Sequence, residues 1–274
     1  RRIEWKNQRE ILTKSKYIQN YRRAVNTLNT NTNTKYRFKT LNALILFHLI
    51  GALQFGYGCY YDFVHVHVPS TSKTTSFGGK FKFLTNLNMI QTIYFLVALY
   101  NDIFGNNEST ASEKPLIRHI KDRLFCSLAF PISLFVGLTF WAIYAVDREL
   151  ILPKGLDPYF PTWLNHVMHT NIVIFILIEM VTSFRMYPPR KQGITILTLF
   201  MVCYMVWIHV VYFVSGAWVY PILRVMSWPF RIMFYLFSLG LVLGLYRLGE
   251  HLNAAVWSRE YLFMCNIYEG IVFM

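Results

Sequence analysis

The sequence predicts an all-α membrane protein, a bundle of about six transmembrane helices. From Leu41 onward it is filled by long apolar stretches, each close to the ~20 residues with which a helix crosses the hydrocarbon core. Charged residues make up only 15% of the chain, against roughly 25% in soluble globular domains. Lys and Arg also alternate in abundance between successive connections, which is typical of a polytopic protein.

The predicted spans are Leu41–Tyr60, Phe83–Phe104, Leu124–Val146, Trp163–Phe184, Gly193–Val214 and Pro229–Leu248. Residues 1–40 precede them and are basic, polar and rich in Asn and Thr, so we expect a disordered N-terminal arm. Because the connections are short, residues 41–257 are predicted to form one membrane domain. The status of the tail, residues 258–274, is left open.

The distribution of positive charge predicts the topology. With the N-terminus in the cytosol, 20 of the 27 Lys and Arg residues fall on the cytosolic side and 7 on the other. The positive-inside rule therefore favours cytosolic N- and C-termini. The net charge of +13 is explained by this asymmetry and by contact of the arm with anionic membrane lipids, so we predict no nucleic-acid partner.

The first span is too long for a cleaved signal peptide and is interpreted as a signal anchor. It directs the chain to the endoplasmic reticulum or the plasma membrane, between which the sequence does not decide. Because the chain begins with Arg1 and its first methionine is Met89, we expect a fragment or a partly mispredicted gene product.

Motifs of the familiar soluble enzymes are absent from the sequence. It contains no GxSxG elbow, no HExxH, no P-loop and no GxGxxG. Its four cysteines include no CxxC pair, so neither a disulfide framework nor a zinc site is predicted. We predict no metal and no organic cofactor.

Polar residues cluster instead at the predicted outer ends of the spans, where Thr85, Asp147, His166 and His169 lie. Polar side chains are costly in a membrane, so these are candidate site residues. Alternatives are interfacial caps, a metal held by the two histidines, or haem held between His169 and His209. Two polar residues of the opposite end, Glu179 and Arg185, are a possible ion pair to which no chemistry is assigned.

Several local motifs together carry a family resemblance, which covers about Leu41 to Trp257. They are GGKFKFLT (78–85), LAFP (128–131), FWAIYAVDREL (140–150) with Pro153-Lys154, WLNHVMHT (163–170), ILIEM (176–180), GAWVYP (216–221) and LGE (248–250) with Asn253. In this order they resemble the androgen-induced protein family, which includes the androgen-dependent regulator of tissue factor pathway inhibitor.

The resemblance implies a function that composition does not show. Members of this family are multi-pass membrane hydrolases that cleave fatty acid esters of hydroxy fatty acids with a threonine nucleophile and a histidine. The matching residues are Thr85 of the KFLT motif and His169 of the WLNHxMHT motif. The lipid ester is the implied partner.

Support for His169 is predicted from its neighbours. Asn165 lies four residues earlier on the same helix face and is preferred over Asp147 as the group that orients the ring; His166 is a further candidate. The residues after KFLT, Asn86-Leu87-Asn88, depart from some members, which affects the expected substrate preference. Two other hypotheses remain: a non-enzymatic membrane regulator or lipid-binding protein, and a haem electron carrier.

Overall fold

Helices make up most of the chain that the structure describes. This computed structural model describes residues 34–66, 86–105, 107 and 115–257, and within them it contains no β-strand. The helices are α1 (Thr34–His65), α2 (Asn88–Phe104), α3 (Leu116–Val146), α4 (Thr162–Thr182), α5 (Arg190–Ser215), α6 (Pro221–Val225) and α7 (Trp228–Val256). Two single 3₁₀ turns, Arg148–Leu150 and Lys154–Leu156, lie between α3 and α4.

The predicted all-α, multi-pass architecture is confirmed. Five described helices are long and apolar enough to cross a membrane: α1 from Leu41, α3, α4, α5 and α7. The remaining long helix, α2, has 17 described residues, the lower limit of the roughly 17–25 that span the hydrocarbon core. The cytosolic position of the termini stays a prediction.

The chain divides into two units, residues 1–44 and residues 45–274. Of the first unit, the structure describes residues 34–44, which begin α1. The second contains the rest of α1 and all other helices. The predicted domain boundaries remain predictions, because most of the arm (1–33) and the tail (258–274) lie outside the described residues.

Several helices, among them α1, α3 and α7, are longer than their apolar stretches predict. The third span was predicted to begin at Leu124, but α3 begins at Leu116 because its first turns bury Arg118, Lys121 and Asp122 inside the bundle. Spans predicted from the length of an apolar stretch omit such turns, because only apolar side chains are counted. For the same reason α7 continues past Leu248 to Val256.

Two of the membrane helices contain a π-helical segment. In α3 this segment is Phe125–Ala129, just before Pro131; in α4 it is Val167–Asn171. In α3, Pro131 has no N–H to donate, and its ring would clash with the preceding turn of a regular α-helix. The wider π-helical turn relieves this clash. The carbonyl of Ala129 accepts hydrogen bonds from Ser133 Oγ (2.6 Å) and Gln91 Nε2 (3.2 Å), so α2 is joined to α3 at this point.

The core lies along α3, the most buried of the candidate spans. Fully buried aromatic rings of α1, α2 and α3 (Phe55, Phe95 and Phe130) pack there with Ile176 of α4. This core separates two polar zones, one at each end of the bundle. On α1 the two zones are marked by His48 and Asp62, 14 residues or about 21 Å apart.

Candidate functional site

His169 lies in the π-helical segment of α4, where the backbone departs from the regular helix. Such segments are rare in proteins. Where they do occur, they are often found at functional sites, because they displace side chains from the α-helical register. The His169 ring stacks on Phe140 of α3, with ring centroids 3.6 Å apart and an interplanar angle of 13°. The stacking fixes the plane of the imidazole, which is half-buried.

The hydrogen bonds of His169 determine which ring nitrogen carries the proton. Nδ1 lies 3.0 Å from the backbone carbonyl oxygen of Asn165 and 2.8 Å from its side-chain Oδ1. A carbonyl oxygen can only accept, so Nδ1 donates and Nε2 carries the lone pair of the neutral ring. His169 is thus oriented by Asn165, with Nε2 as its basic atom.

Close approach of α3 and α4 at this site depends on Gly137. A Cβ at Gly137 would lie 2.9 Å from the carbonyl oxygen of His169 and would also collide with Val173. A glycine is therefore needed for the two helices to meet here and for Phe140 to reach the His169 ring.

Thr85 lies outside the described residues, but the residues that follow it are placed beside α1. Asn86 donates from Nδ2 to Asp62 Oδ2 (3.1 Å) and accepts from the backbone N of Asn88 (3.0 Å), as in an Asx turn. Asn88 in turn donates to the carbonyl oxygen of Phe55 (3.3 Å). The start of α2 is thereby held against the last turns of α1.

The same part of α1 contacts the start of α4. A Cβ at Gly58 would lie 3.0 Å from Val167 Cγ1 and 3.3 Å from Asn88 Nδ2. Val167 is two residues before His169, and Asn88 is three residues after Thr85. The described neighbours of both predicted catalytic residues therefore converge on one point of α1, although they are far apart in the chain.

The other two predicted supporting residues have different surroundings. The exposed His166 pairs through Nδ1 with Thr170 Oγ1 (3.1 Å) and stacks on Trp141. Asp147 accepts a hydrogen bond from the backbone N of Glu149 (2.9 Å) and so caps the 3₁₀ turn after α3. Asn165, rather than either of these, contacts the His169 ring.

Two predicted alternatives concern metal and haem. Within the described parts of the chain, no group of three or more His, Cys, Asp or Glu is arranged to hold a metal ion. His209, the second proposed haem ligand, donates from Nδ1 to the Met205 carbonyl oxygen (2.8 Å) and packs against Trp218 and Tyr235.

At the opposite end of the bundle is a buried polar cluster, here called the His48 network: His48, Tyr94, Asp102, Glu179 and Arg185. Of these residues, sequence reasoning named only the pair Glu179 and Arg185. His48 Nδ1 lies 2.5 Å from Asp102 Oδ2, and Nε2 lies 2.8 Å from Glu179 Oε2. All three side chains are completely buried. The network connects α1, α2 and α4.

This arrangement requires an additional proton. A neutral imidazole donates from only one nitrogen, so its other lone pair would face a carboxylate oxygen. The unit is stable only as an imidazolium between two carboxylates, or as a neutral ring with one carboxyl protonated. In either form it holds one proton more than neutral His48 with two carboxylates.

Glu179 also binds the cation that the sequence offered as its partner. Arg185 Nη2 donates to Glu179 Oε1 (2.9 Å), which confirms this possible ion pair, and Tyr94 donates to the same oxygen (2.6 Å). Burial by itself lowers the pKa of the Arg185 guanidinium, but interactions with Tyr94 and Glu179 outweigh it, and the pKa is raised. The guanidinium also lies over the ring of Phe125, 3.4 Å from its centroid.

Asn107 extends the network to the buried start of α3. It donates to Asp102 Oδ1 (2.5 Å) and accepts from Arg118 Nη1 (2.8 Å) and Lys121 Nζ (2.9 Å). For His48 and Asp102, the sequence offers one signal, an isolated polar residue toward one end of an apolar span. That signal does not tell which of these residues meet.

The model of the FAR-17a/AIG1-like protein family matches residues 43–254. This protein belongs to that family. The resemblance seen in the motifs is therefore confirmed, and with it an integral, multi-pass membrane protein.

Similar proteins come from mammals and yeast. The chain is 42% identical to the human androgen-induced gene 1 protein over 193 residues, 68% of this chain and 81% of the relative. It is 38% identical to the mouse androgen-dependent TFPI-regulating protein over 206 residues, 73% of this chain and 89% of the relative. A UPF0641 membrane protein of Schizosaccharomyces pombe is 25% identical over 174 residues, 62% of this chain and 73% of the relative. No solved structure matches the chain significantly.

Proposed function

We propose that this protein is a membrane-embedded hydrolase that cleaves fatty acid esters of hydroxy fatty acids. Thr85 is the nucleophile and His169 the general base in this proposal. It is supported by the imidazole of His169, which Asn165 orients, by the meeting of the neighbouring residues Val167 and Asn88 at Gly58, and by the intact KFLT and WLNHxMHT motifs. The names of the relatives state no enzymatic activity.

The first half of the reaction transfers the acyl group to Thr85. A threonine hydroxyl is a weak nucleophile and needs an adjacent base. His169 Nε2 accepts the hydroxyl proton as Oγ attacks the ester carbonyl carbon. When the tetrahedral intermediate collapses, the ester C–O bond breaks and the imidazolium returns the proton to the leaving oxygen. The hydroxy fatty acid departs and an acyl-threonine remains.

The second half releases the fatty acid. A water molecule gives its proton to His169 Nε2 and attacks the acyl carbon. The intermediate then expels Thr85 Oγ, which takes up that proton. Throughout, Nδ1 of His169 keeps its hydrogen bond to Asn165, so that only Nε2 exchanges protons.

The test is hydrolysis of the palmitoyl ester of a hydroxystearic acid by membranes that contain the full chain with an initiating Met. We expect Thr85→Ala and His169→Ala each to lower kcat/KM roughly a thousandfold or more. The matched controls, Thr195→Ala and His251→Ala, replace exposed residues of α5 and α7 and should retain activity. Hydrolysis that survives in both site variants would contradict the assignment of the catalytic residues.

A non-enzymatic regulator is the alternative that the names of several relatives favour, since they are called androgen-dependent TFPI-regulating proteins. It predicts that the parent protein, although correctly inserted, hydrolyses no ester. It also predicts that Thr85→Ala leaves any regulatory effect unchanged.

A further inference from the structure

An apolar groove opens between α2 and α5 on the side of the bundle that faces the bilayer. Its volume is about 310 Å³, and its wall is almost entirely apolar. Residues that line it include Asn86, which precedes α2, Ile90 and Ile93 of α2, and Phe200, Cys203 and Trp207 of α5. Ile93 is half-exposed and Cys203 is exposed, so the groove opens sideways rather than into the core.

The dimensions of the groove suit a hydrocarbon chain. From Asn86 to Ile93 it extends seven residues along α2, or about 10 Å. Liquid water occupies about 30 Å³ per molecule. The volume therefore holds about ten groups of that size, and a methylene is similar in size. An apolar space of this volume accommodates about ten carbons of one acyl chain.

One end of the groove lies at Asn86, the residue that follows Thr85 in the chain. α2 and α5 are separated by two crossings and run in opposite directions, so Asn86 and Trp207 lie at one end and Ile93 and Phe200 at the other. Asn86 directly follows Thr85 in the chain, within one Cα–Cα step of about 3.8 Å. Its side chain also binds Asp62, in the zone where α1, α2 and α4 converge.

Helix α3 connects the groove with His169. Trp207 of α5 and Ile143 of α3 pack against the same buried cluster. Ile143 lies one turn after Phe140, the residue on which the His169 ring stacks. Farther along the groove, Ile90 and Phe200 pack against the cluster that contains Ile132 of α3. The groove thus begins at the same end of the bundle as His169 and extends toward the bilayer centre.

We propose that this groove binds the fatty acyl chain of the ester, with the carbonyl carbon at the Asn86 end and the methyl end toward Ile93 and Phe200. This rests on the proposed hydrolase function. In the acyl-threonine the fatty acyl group is attached one residue before Asn86, whereas the hydroxy fatty acid has left. The groove therefore selects the length of the acyl chain and not that of the alcohol part.

Cys203 provides a test in the folded protein. It is an exposed thiol on the groove wall, whereas Cys59 and Cys126 are buried. Membranes are treated with benzyl methanethiosulfonate, which places a benzyl group at Cys203, and kcat/KM is measured for palmitoyl and butanoyl esters of one hydroxystearic acid. Cys203→Ser membranes, treated identically, report modification elsewhere. Cys203→Trp is the genetic counterpart, with Val202→Trp, an exposed α5 position that does not line the groove, as its control.

Modification or Cys203→Trp should lower kcat/KM for the palmitoyl ester at least about tenfold more than for the butanoyl ester, since several methylenes lose their binding space. Changing the length of the hydroxy acid should leave this ratio unaltered. If both esters are hydrolysed with an unchanged ratio, the groove holds only bilayer lipid and the acyl-chain assignment is overturned, while the hydrolase function stands. If the untreated parent hydrolyses neither ester, the proposed function fails and this inference fails with it.

Discussion

Replacement of His48 by leucine tests the structural role of the His48 network. Leucine is similar in size to histidine but is apolar. The carboxylates of Asp102 and Glu179 therefore lose the ring whose nitrogens lie 2.5 and 2.8 Å from them. Both side chains are completely buried. Removing one partner from a buried ion pair costs about 3–5 kcal/mol, because the other charge is left uncompensated.

Each carboxylate keeps other polar contacts after this change. Glu179 still binds Arg185 at 2.9 Å and accepts from Tyr94 at 2.6 Å, and Asp102 still accepts from Asn107. We therefore expect the free energy of unfolding to fall by about 3–5 kcal/mol and not by more. Since a loss of about 1 kcal/mol lowers the thermal midpoint by about 2–4 °C in chains of this size, the midpoint should fall by about 6–20 °C.

The assay is thermal unfolding of detergent-solubilised protein, followed by the loss of the monodisperse peak in size-exclusion chromatography. His119→Leu is the matched control, because His119 is exposed on α3 and its replacement should change stability by less than about 0.5 kcal/mol. The double variant His48→Leu with Asp102→Asn should recover part of the loss, since it removes one unpaired charge. A loss near the ~0.6 kcal/mol of an average hydrogen bond between membrane helices would refute the charged-network explanation.

Two further predictions concern the His169 site. Asn165→Ala removes one of the two acceptors of His169 Nδ1, and a hydrogen bond contributes about 1 kcal/mol, so kcat should fall about five- to tenfold with little change in KM. Asn165→Asp restores an acceptor and should recover activity; equal loss in both variants would exclude the orienting role. Gly137→Ala forces α3 away from α4 and should cost about 1–3 kcal/mol together with hydrolysis. At Gly240, where an added Cβ meets nothing within 4 Å, the same change should leave thermal stability and activity intact.

Sequence reasoning predicted the helical class and most of each membrane segment correctly. It misplaced the start of α3 because Arg118, Lys121 and Asp122 resemble a solvated connection, whereas they are buried against Asn107 and one another. The charged side chains are tolerated because partners from neighbouring helices compensate them, which no property of the segment itself reveals.

The candidate site was predicted in part. The spacing of four residues placed Asn165 on the same face as His169, and that contact is present, since helix geometry makes such pairs neighbours. The π-helical segment around His169 and its stacking on Phe140 were not predicted. The stacking depends on how α3 packs against α4, which the sequence of either helix does not specify. The π-helical segment adds one residue to a turn, and a nearly continuous apolar span does not reveal it.

The sequence by itself determined that this protein is a multi-pass helical membrane protein of its family, because apolar length and contiguous motifs are local properties of the chain. Only the tertiary structure decided which polar residues meet. His48 is 54 residues from Asp102 and 131 from Glu179 in the chain, yet one imidazole binds both. The physical reason is that a helix fixes the face on which a side chain lies, whereas packing between helices selects its partner.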